Sequence, residues 1–329
     1  MTRIPNLARL ALLALLAIAA MQGPARAQPG YPDKPVRMIV PSAAGGAADI
    51  TARIVGQKMS EGLGVPVVID NRGGANGNIG TDAVAKAAPD GYTVLLVASG
   101  PIVVNQSLYA RLPYDPLKDL APVTQLTSYQ YALVVPAASP ITGIPELVRA
   151  AKAEPGKISY GSTGIGGGGH LAGELFAGLT GTRMTHVPYK GAALALADLL
   201  GGQLSFTFDT VVTAAPQIAS GKLRGYAVTG PRRAAALPRL PTMAELGYRD
   251  FDVTQFQGIL VPAKTDAAIV ERLHAKAVKA LRAPDVIKRL ATEGGYDLVG
   301  SSPADFRRLI QTEAASYGRL IKTSGIKVE

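Results

Sequence analysis

The stretch YGSTGIGGGGHLAGELF, residues 160–176, puts six glycines between Tyr160 and Gly169 and runs straight into an apolar, helix-like segment. Three chemistries suit such residues. Gly164, Gly166 and Gly169 spell G-x-G-x-x-G, the spacing of a dinucleotide-binding turn. Ser162 and His170 supply a hydroxyl nucleophile and a base. A glycine-rich turn at a helix N-terminus also presents unpaired backbone N–H groups at the positive end of the helix dipole, where a carboxylate or phosphate can sit.

The first two readings lack their partners. A dinucleotide site needs an acidic residue at the end of the next strand to hold the ribose, and that strand ends THVPYKG. No Gly-Lys-Ser/Thr follows the glycines as a phosphate-binding P-loop requires. No G-x-S-x-G elbow occurs, and His170, His186 and His274, the three histidines, have no local acid to orient a triad. The helix dipole disfavours a cationic His170, which is expected to be neutral and to pack or hydrogen-bond. With no cysteine and no His/Asp/Glu cluster at ligand spacing, neither a metal nor a cofactor is expected.

The anion cradle has a counterpart. PSAAGGAAD, residues 41–49, also follows a short apolar run, VRMIV, and also opens a helical pattern. A single loop of this kind is equally well explained by glycines that let a helix and a strand pack closely. Two loops at matching places favour a ligand, held between two helix N-termini that face each other. Asp49, Asn71, Asn76, Ser99, Tyr189, Lys190 and Asp209 fall at the same strand ends, where open α/β sheets bind ligands. Asp49 also suits a helix cap, and Lys190 a solvated surface. A carboxylate at Asp209 would repel an anion but attract a substrate ammonium.

The elements behind these loops alternate. Strands are expected at 36–40, 65–70 and 92–99, with helices near 48–62 and up to Ala88 between them. The order returns with KISYGS, a helix ended by Gly181, MTHV, a helix over AALALADLLGG, and QLSFTFD at 203–209. After QGILVP, residues 257–262, the chain turns helical. Asp266 or Thr265 caps 267–282, Pro284 opens a shorter helix, and Ser302-Pro303 with Asp305 starts a last one. Those helices have no sheet of their own and are expected on the first lobe. The expected class is α/β: two lobes with parallel or mixed sheets, joined by a two-strand hinge where the chain crosses near 131–136 and 258–263. Lobe 1 comprises 28–132 and 257–329, and lobe 2 comprises 133–256.

Residues 1–27 read as a signal peptide. Arg3 and Arg9 precede the apolar run LALLALLAIAA, and Ala25 and Ala27 stand at the small-residue positions before Gln28. Eleven helical residues reach roughly 16 Å, short of a bilayer core of about 30 Å. The expected location is the periplasm. The chain carries 34 basic and 24 acidic residues, a balance that suits an anionic small ligand. Nucleic acid is not expected as a partner, since Lys and Arg are scattered and aromatics make up 5% of the chain.

The segments YPDKPVRMIVPSAAGGAADITAR, GVPVVIDNRGGANGNIGTDAVAKAAPDGYTVL, HVPYKGAALALADLLGGQLSFTFD, LPRLPTMAELG and SPADFRRLI occur in order from Tyr31 to the C-terminus. Together they resemble the Bug-type substrate-binding proteins of tripartite tricarboxylate transporters. The resemblance implies a monomeric, non-enzymatic periplasmic binding protein of two lobes, type II-like. It would capture a carboxylate, amino acid or aromatic acid and deliver it to transporter membrane subunits. The same ligand presented to a two-component histidine kinase is the alternative. By this resemblance Ser42, Ala43, Gly46 and Asp49 form the first-lobe ligand loop, and Ser162, Thr163, Gly164 and His170 the second, with Ser99, Tyr189 and Asp209 near them. The chain departs from the family in having Ser42 where an aromatic residue is common, FQG where W-x-G is usual, and glycines at 167–169 where polar residues are frequent.

Overall fold

The computed structural model describes residues 30–249 and 251–324. The proposed leader, residues 1–27, lies outside them. The chain divides at Tyr31 into two units, and everything below concerns the second, Pro32–Glu329.

Two β-α-β-α-β modules build the fold. The first runs β1 (Val36–Val40), α1 (Ala47–Leu63), β2 (Val67–Asn71), α2 (Asn78–Ala85) and β3 (Thr93–Ala98). The second runs β5 (Ser159–Ser162), α5 (Gly168–Thr180), β6 (Thr185–Pro188), α6 (Ala192–Leu200) and β7 (Phe206–Thr210). In each the first strand is central and pairs in parallel with the other two, so the orders are β2-β1-β3 and β6-β5-β7. The inner strands β1 and β3 are largely buried and read as short apolar runs without alternation, whereas the edge strands β2 and β6 are partly exposed.

The modules are joined by β4 (Leu120–Pro136), a single strand of 17 residues, beside β9 (Thr254–Pro262). From Leu120 to Gln130, β4 pairs antiparallel with β9, which in turn pairs with β3. From Tyr131 onward it pairs with β7 and with β8 (Leu223–Val228). The change of partner falls between Gln130 and Tyr131. Only residues 131–136 read as a strand in the sequence. The preceding LAPVTQLTSYQ holds a proline and many polar residues, and its pairing with β9 is irregular at Pro122/Thr124 and Gln125/Thr127.

Helices α8 (Ala267–Leu281) and α10 (Pro303–Ser324) cover the first module. Asp266 accepts a hydrogen bond from Ala268 N at 2.7 Å, and Asp305 N donates to Ser302 Oγ at 3.1 Å, so both helices start at side-chain caps. From α10, Phe306, Ile310, Tyr317 and Ile321 pack among Ile39, Leu95, Val97, Phe256 and Leu260. Phe306 stands edge-on to Phe256 with ring centroids 5.3 Å apart. A Cβ at Gly258 would lie 2.2 Å from its ring, so glycine in FQG makes room for Phe306. A second cluster around Ala132, Val134, Leu199, Leu204 and Val228 forms the core of the other module.

The modules also touch directly. Leu171 of α5, 1% exposed, belongs to the first module's core with Val104 and Leu108, and Ile165 packs on the same cluster. Burying a leucine contributes on the order of 2 kcal/mol, so this contact helps hold the two modules together.

Candidate functional site

All six module strands end at one cavity of about 770 Å³, whose walls include Pro41, Asn71, Ala98, Ser162, Tyr189 and Thr210. These residues stand at the C-terminal ends of β1, β2, β3, β5, β6 and β7, the edge at which open α/β sheets bind ligands.

Three helices open on the cavity. Gly46, Gly167 and Gly191 are the N-caps of α1, α5 and α6, and none of the three receives a side-chain cap. All three line the cavity. A glycine N-cap leaves the first-turn N–H groups without an internal acceptor, which an anionic ligand can supply. Gly191 and Ala43 meet across the cleft, where a Cβ on the glycine would lie 3.1 Å from Ala43 Cβ.

The first loop is shaped by Asp49. Its carboxylate accepts from Gly45 N at 2.9 Å and from Arg53 Nε at 3.0 Å. Burial opposes its charge, but the bonds from Arg53, Gly45 and Asn71 outweigh that and hold the carboxyl below its usual range. Arg53 reaches Asn71 Oδ1 at 3.3 Å, and Asn71 Nδ2 donates to Ser42 O at 3.2 Å. Asp49 therefore braces the loop from behind and does not line the cavity.

In the second loop, Gly164 N donates to Ser162 Oγ at 3.1 Å, and Ser162 Oγ lies 2.7 Å from His186 Nε2. Gly166 N donates to His170 Nδ1 at 3.0 Å. The imidazoles of His170 and His186 stack with centroids 4.0 Å apart. Burial lowers both, His186 to about 3 with His170 adding to the effect. Both rings are therefore neutral at physiological pH and act as struts.

Within this loop Gly166 adopts φ +79. A Cβ at Gly168 would lie 2.1 Å from the Tyr131 hydroxyl, and one at Gly169 2.8 Å from Phe208 O. Gly168 and Gly169 also line the cavity, so the same positions serve close packing and ligand access.

Of the expected site residues, Ser42, Ala43, Gly46, Ser162, Thr163, Gly164, Tyr189 and Asp209 line the cavity. Asp49, Ser99 and His170 do not, and stand one layer behind. Ser99 Oγ donates to Gln255 Oε1 at 2.7 Å, and it is Gln255 that reaches the wall. The histidine beside Ser162 is His186, while His170 accepts from Gly166 N as a neutral hydrogen-bonding residue. Tyr129, Tyr131, Thr207 and Gln255 also line the cavity and were not singled out in the sequence. Tyr131 and Thr207 fall in segments read as strand, and Tyr129 and Gln255 lie just before such segments in β4 and β9. The spacing of Tyr129 and Tyr131 puts both on one face of β4, which was the available signal.

Of the lining residues only Lys190 and Asp209 are charged. Lys190 is exposed, whereas Asp209 is 9% exposed. Among the described residues no group of three or more His, Cys, Asp or Glu could hold a metal ion, and no helix is long and apolar enough to cross a membrane.

Two parallel modules, bridged by a shared strand and with a cleft at their strand ends, define the α/β fold of periplasmic binding proteins. Residues 51–326 match the model of the tripartite tricarboxylate transporter family receptor, and the chain belongs to that family. Protein BugT of Bordetella pertussis is 35% identical over 300 residues, covering 91% of this chain and 92% of BugT. An R. palustris protein solved with adipate superposes at TM-score 0.87 with 34% identity, over 90% of this chain and 99% of that one. MatC from Rhodopseudomonas palustris, solved with bound malate, gives TM-score 0.84 and 30% identity over 88% and 100%.

Proposed function

We propose that this protein is an exported, periplasmic solute-binding receptor that closes on a small carboxylate-bearing ligand and presents it to the membrane subunits of a tripartite transporter. The lobes that move are residues 28–132 with 257–329, and residues 133–256. The protein works as a monomer without a cofactor, and it releases its ligand unchanged.

One observation carries this reading: helix N-termini from both modules, each with a glycine N-cap and no side-chain acceptor, open on a single cleft. Backbone N–H groups fixed on two bodies can share one carboxylate only when those bodies are together, so the ligand stabilises the closed state through its contacts with both. The malate and adipate bound by the two relatives are carboxylates of suitable size. The buried Ser162–His186 pair lacks an acid to polarise it, which supports binding without turnover.

A dye-reported thermal shift against di- and tricarboxylates, amino acids and aromatic acids tests the proposal. The dye is needed because the chain has no tryptophan. A ligand at one hundred times its Kd adds about 2.7 kcal/mol, so one chemical class should raise Tm clearly. Recovery of that ligand intact supports a receptor, and its conversion would overturn the non-enzymatic assignment.

A further inference from the structure

Within the cleft one oxygen of a buried carboxylate is left bare. Thr210 N donates to Asp209 Oδ1 at 2.9 Å, while Asp209 Oδ2 is buried and has no hydrogen-bond donor among the described residues. The neighbouring Thr213 hydroxyl lies 2.7 Å from Thr210 Oγ1 and 3.0 Å from Thr210 O. No lysine or arginine other than the exposed Lys190 lines the cavity. A buried carboxylate oxygen left bare is costly, and native structures pair such groups or use them.

Its surroundings are aromatic. Asp209 pairs in register with Ala132 and Thr210 with Tyr131, so β4 sets its tyrosines beside this strand end. Tyr129 and Tyr131 line the same cavity, their ring centroids 5.8 Å apart, and Tyr296 stands 5.6 Å from Tyr129. An acceptor-only carboxylate buried in the wall of a cleft suits a ligand cation with N–H donors.

We infer that Asp209 is the specificity residue of the cleft and reads an ammonium group on the ligand, so that the preferred ligands are amino acids rather than simple carboxylic acids. The inference rests on the carboxylate-binding reading above. The ligand carboxylate takes the uncapped helix N-termini, and its ammonium takes the bare oxygen of Asp209. A ligand without the ammonium leaves that carboxylate desolvated and unpaired.

The test uses pairs matched in carbon skeleton: aspartate with succinate, glutamate with glutarate, phenylalanine with 3-phenylpropionate. Each is titrated calorimetrically at neutral pH into the purified protein and into the isosteric Asp209→Asn variant. Losing one partner of a buried charge pair costs roughly thirty-fold or more in affinity. At least one amino member should therefore bind that much tighter than its partner, and the ratio should collapse toward one in Asp209→Asn. Wild-type ratios near one, with the plain acids binding, would overturn this inference alone. A ratio unchanged in a folded Asp209→Asn protein would overturn it too. If no member of any pair bound, the carboxylate-binding reading would fall with it.

Discussion

Ser162 Oγ and His186 Nε2 lie 2.7 Å apart, yet the pair has the setting of a brace rather than a catalytic couple. The hydroxyl is also bonded to Gly164 N at 3.1 Å and Gly164 O at 3.0 Å, closing a small turn on itself. The His186 ring is sandwiched between Tyr160 and His170, at centroid distances of 5.0 and 4.0 Å. Aromatic packing fixes the imidazole, the imidazole fixes Ser162, and Ser162 fixes the loop that opens α5.

Acid should therefore loosen this loop. His186 titrates near 3 in the folded protein against 6.5 ordinarily, because burial and then His170 oppose its charge. Its contribution to stability is complete above pH 6.5 and is lost as pH falls toward 3, at about 1.4 kcal/mol per pH unit. His186→Phe keeps the stacking and removes the titration, so its unfolding free energy should fall less steeply on acidification. An equal slope in both proteins, measured by denaturant titration, would contradict the assignment.

Asp209 works in the opposite direction. Burial pushes its carboxyl up to about 6, partly offset by the Thr213 hydroxyl and Thr210 N–H, so the folded unliganded protein holds the proton more tightly than the unfolded chain. Stability is therefore highest at low pH as far as this group is concerned, and declines as pH rises from about 4 through about 6. The full penalty is on the order of 3 kcal/mol. Asp209→Asn should raise the Tm of the unliganded protein at neutral pH, with the gain vanishing near pH 4. A variant less stable than wild type at pH 7 would contradict this.

Gly168→Ala should destabilise by about 1–3 kcal/mol, the usual cost of overpacking. Its Cβ would meet the Tyr131 hydroxyl at 2.1 Å. Combining it with Tyr131→Leu should recover part of that loss, and a double-mutant cycle reads the coupling. Strict additivity would mean that the two residues do not press on each other.

Much of this was legible in the sequence because the relevant signals are local. The two glycine loops, the caps at Asp266 and Ser302, and the repeated strand order follow from residue types a few positions apart. Tyr129 and Tyr131 were hidden because β4 carries polar residues on a strand buried by both modules, so neither alternation nor a clean apolar run marks it. Asp49, Ser99 and His170, expected among the ligand residues, stand one layer behind the cavity wall. A polar residue at a strand end is visible in sequence, but whether it faces the ligand or the loop depends on partners such as Arg53 and Gln255, contributed from elsewhere.

The central claim is that helix N-termini in the cleft hold a carboxylate, and Gly46→Asp tests it most directly. Gly46 has φ −85, and the nearest atom to an added Cβ is Ala43 O at 3.7 Å, so aspartate fits there without strain. Aspartate is also a favoured N-cap, and its side chain would occupy the α1 N–H groups that the ligand uses. With the ligand class found by thermal shift, calorimetry should show affinity falling at least a hundred-fold while the unliganded Tm is unchanged or higher. Wild-type affinity in a folded Gly46→Asp protein would contradict the account.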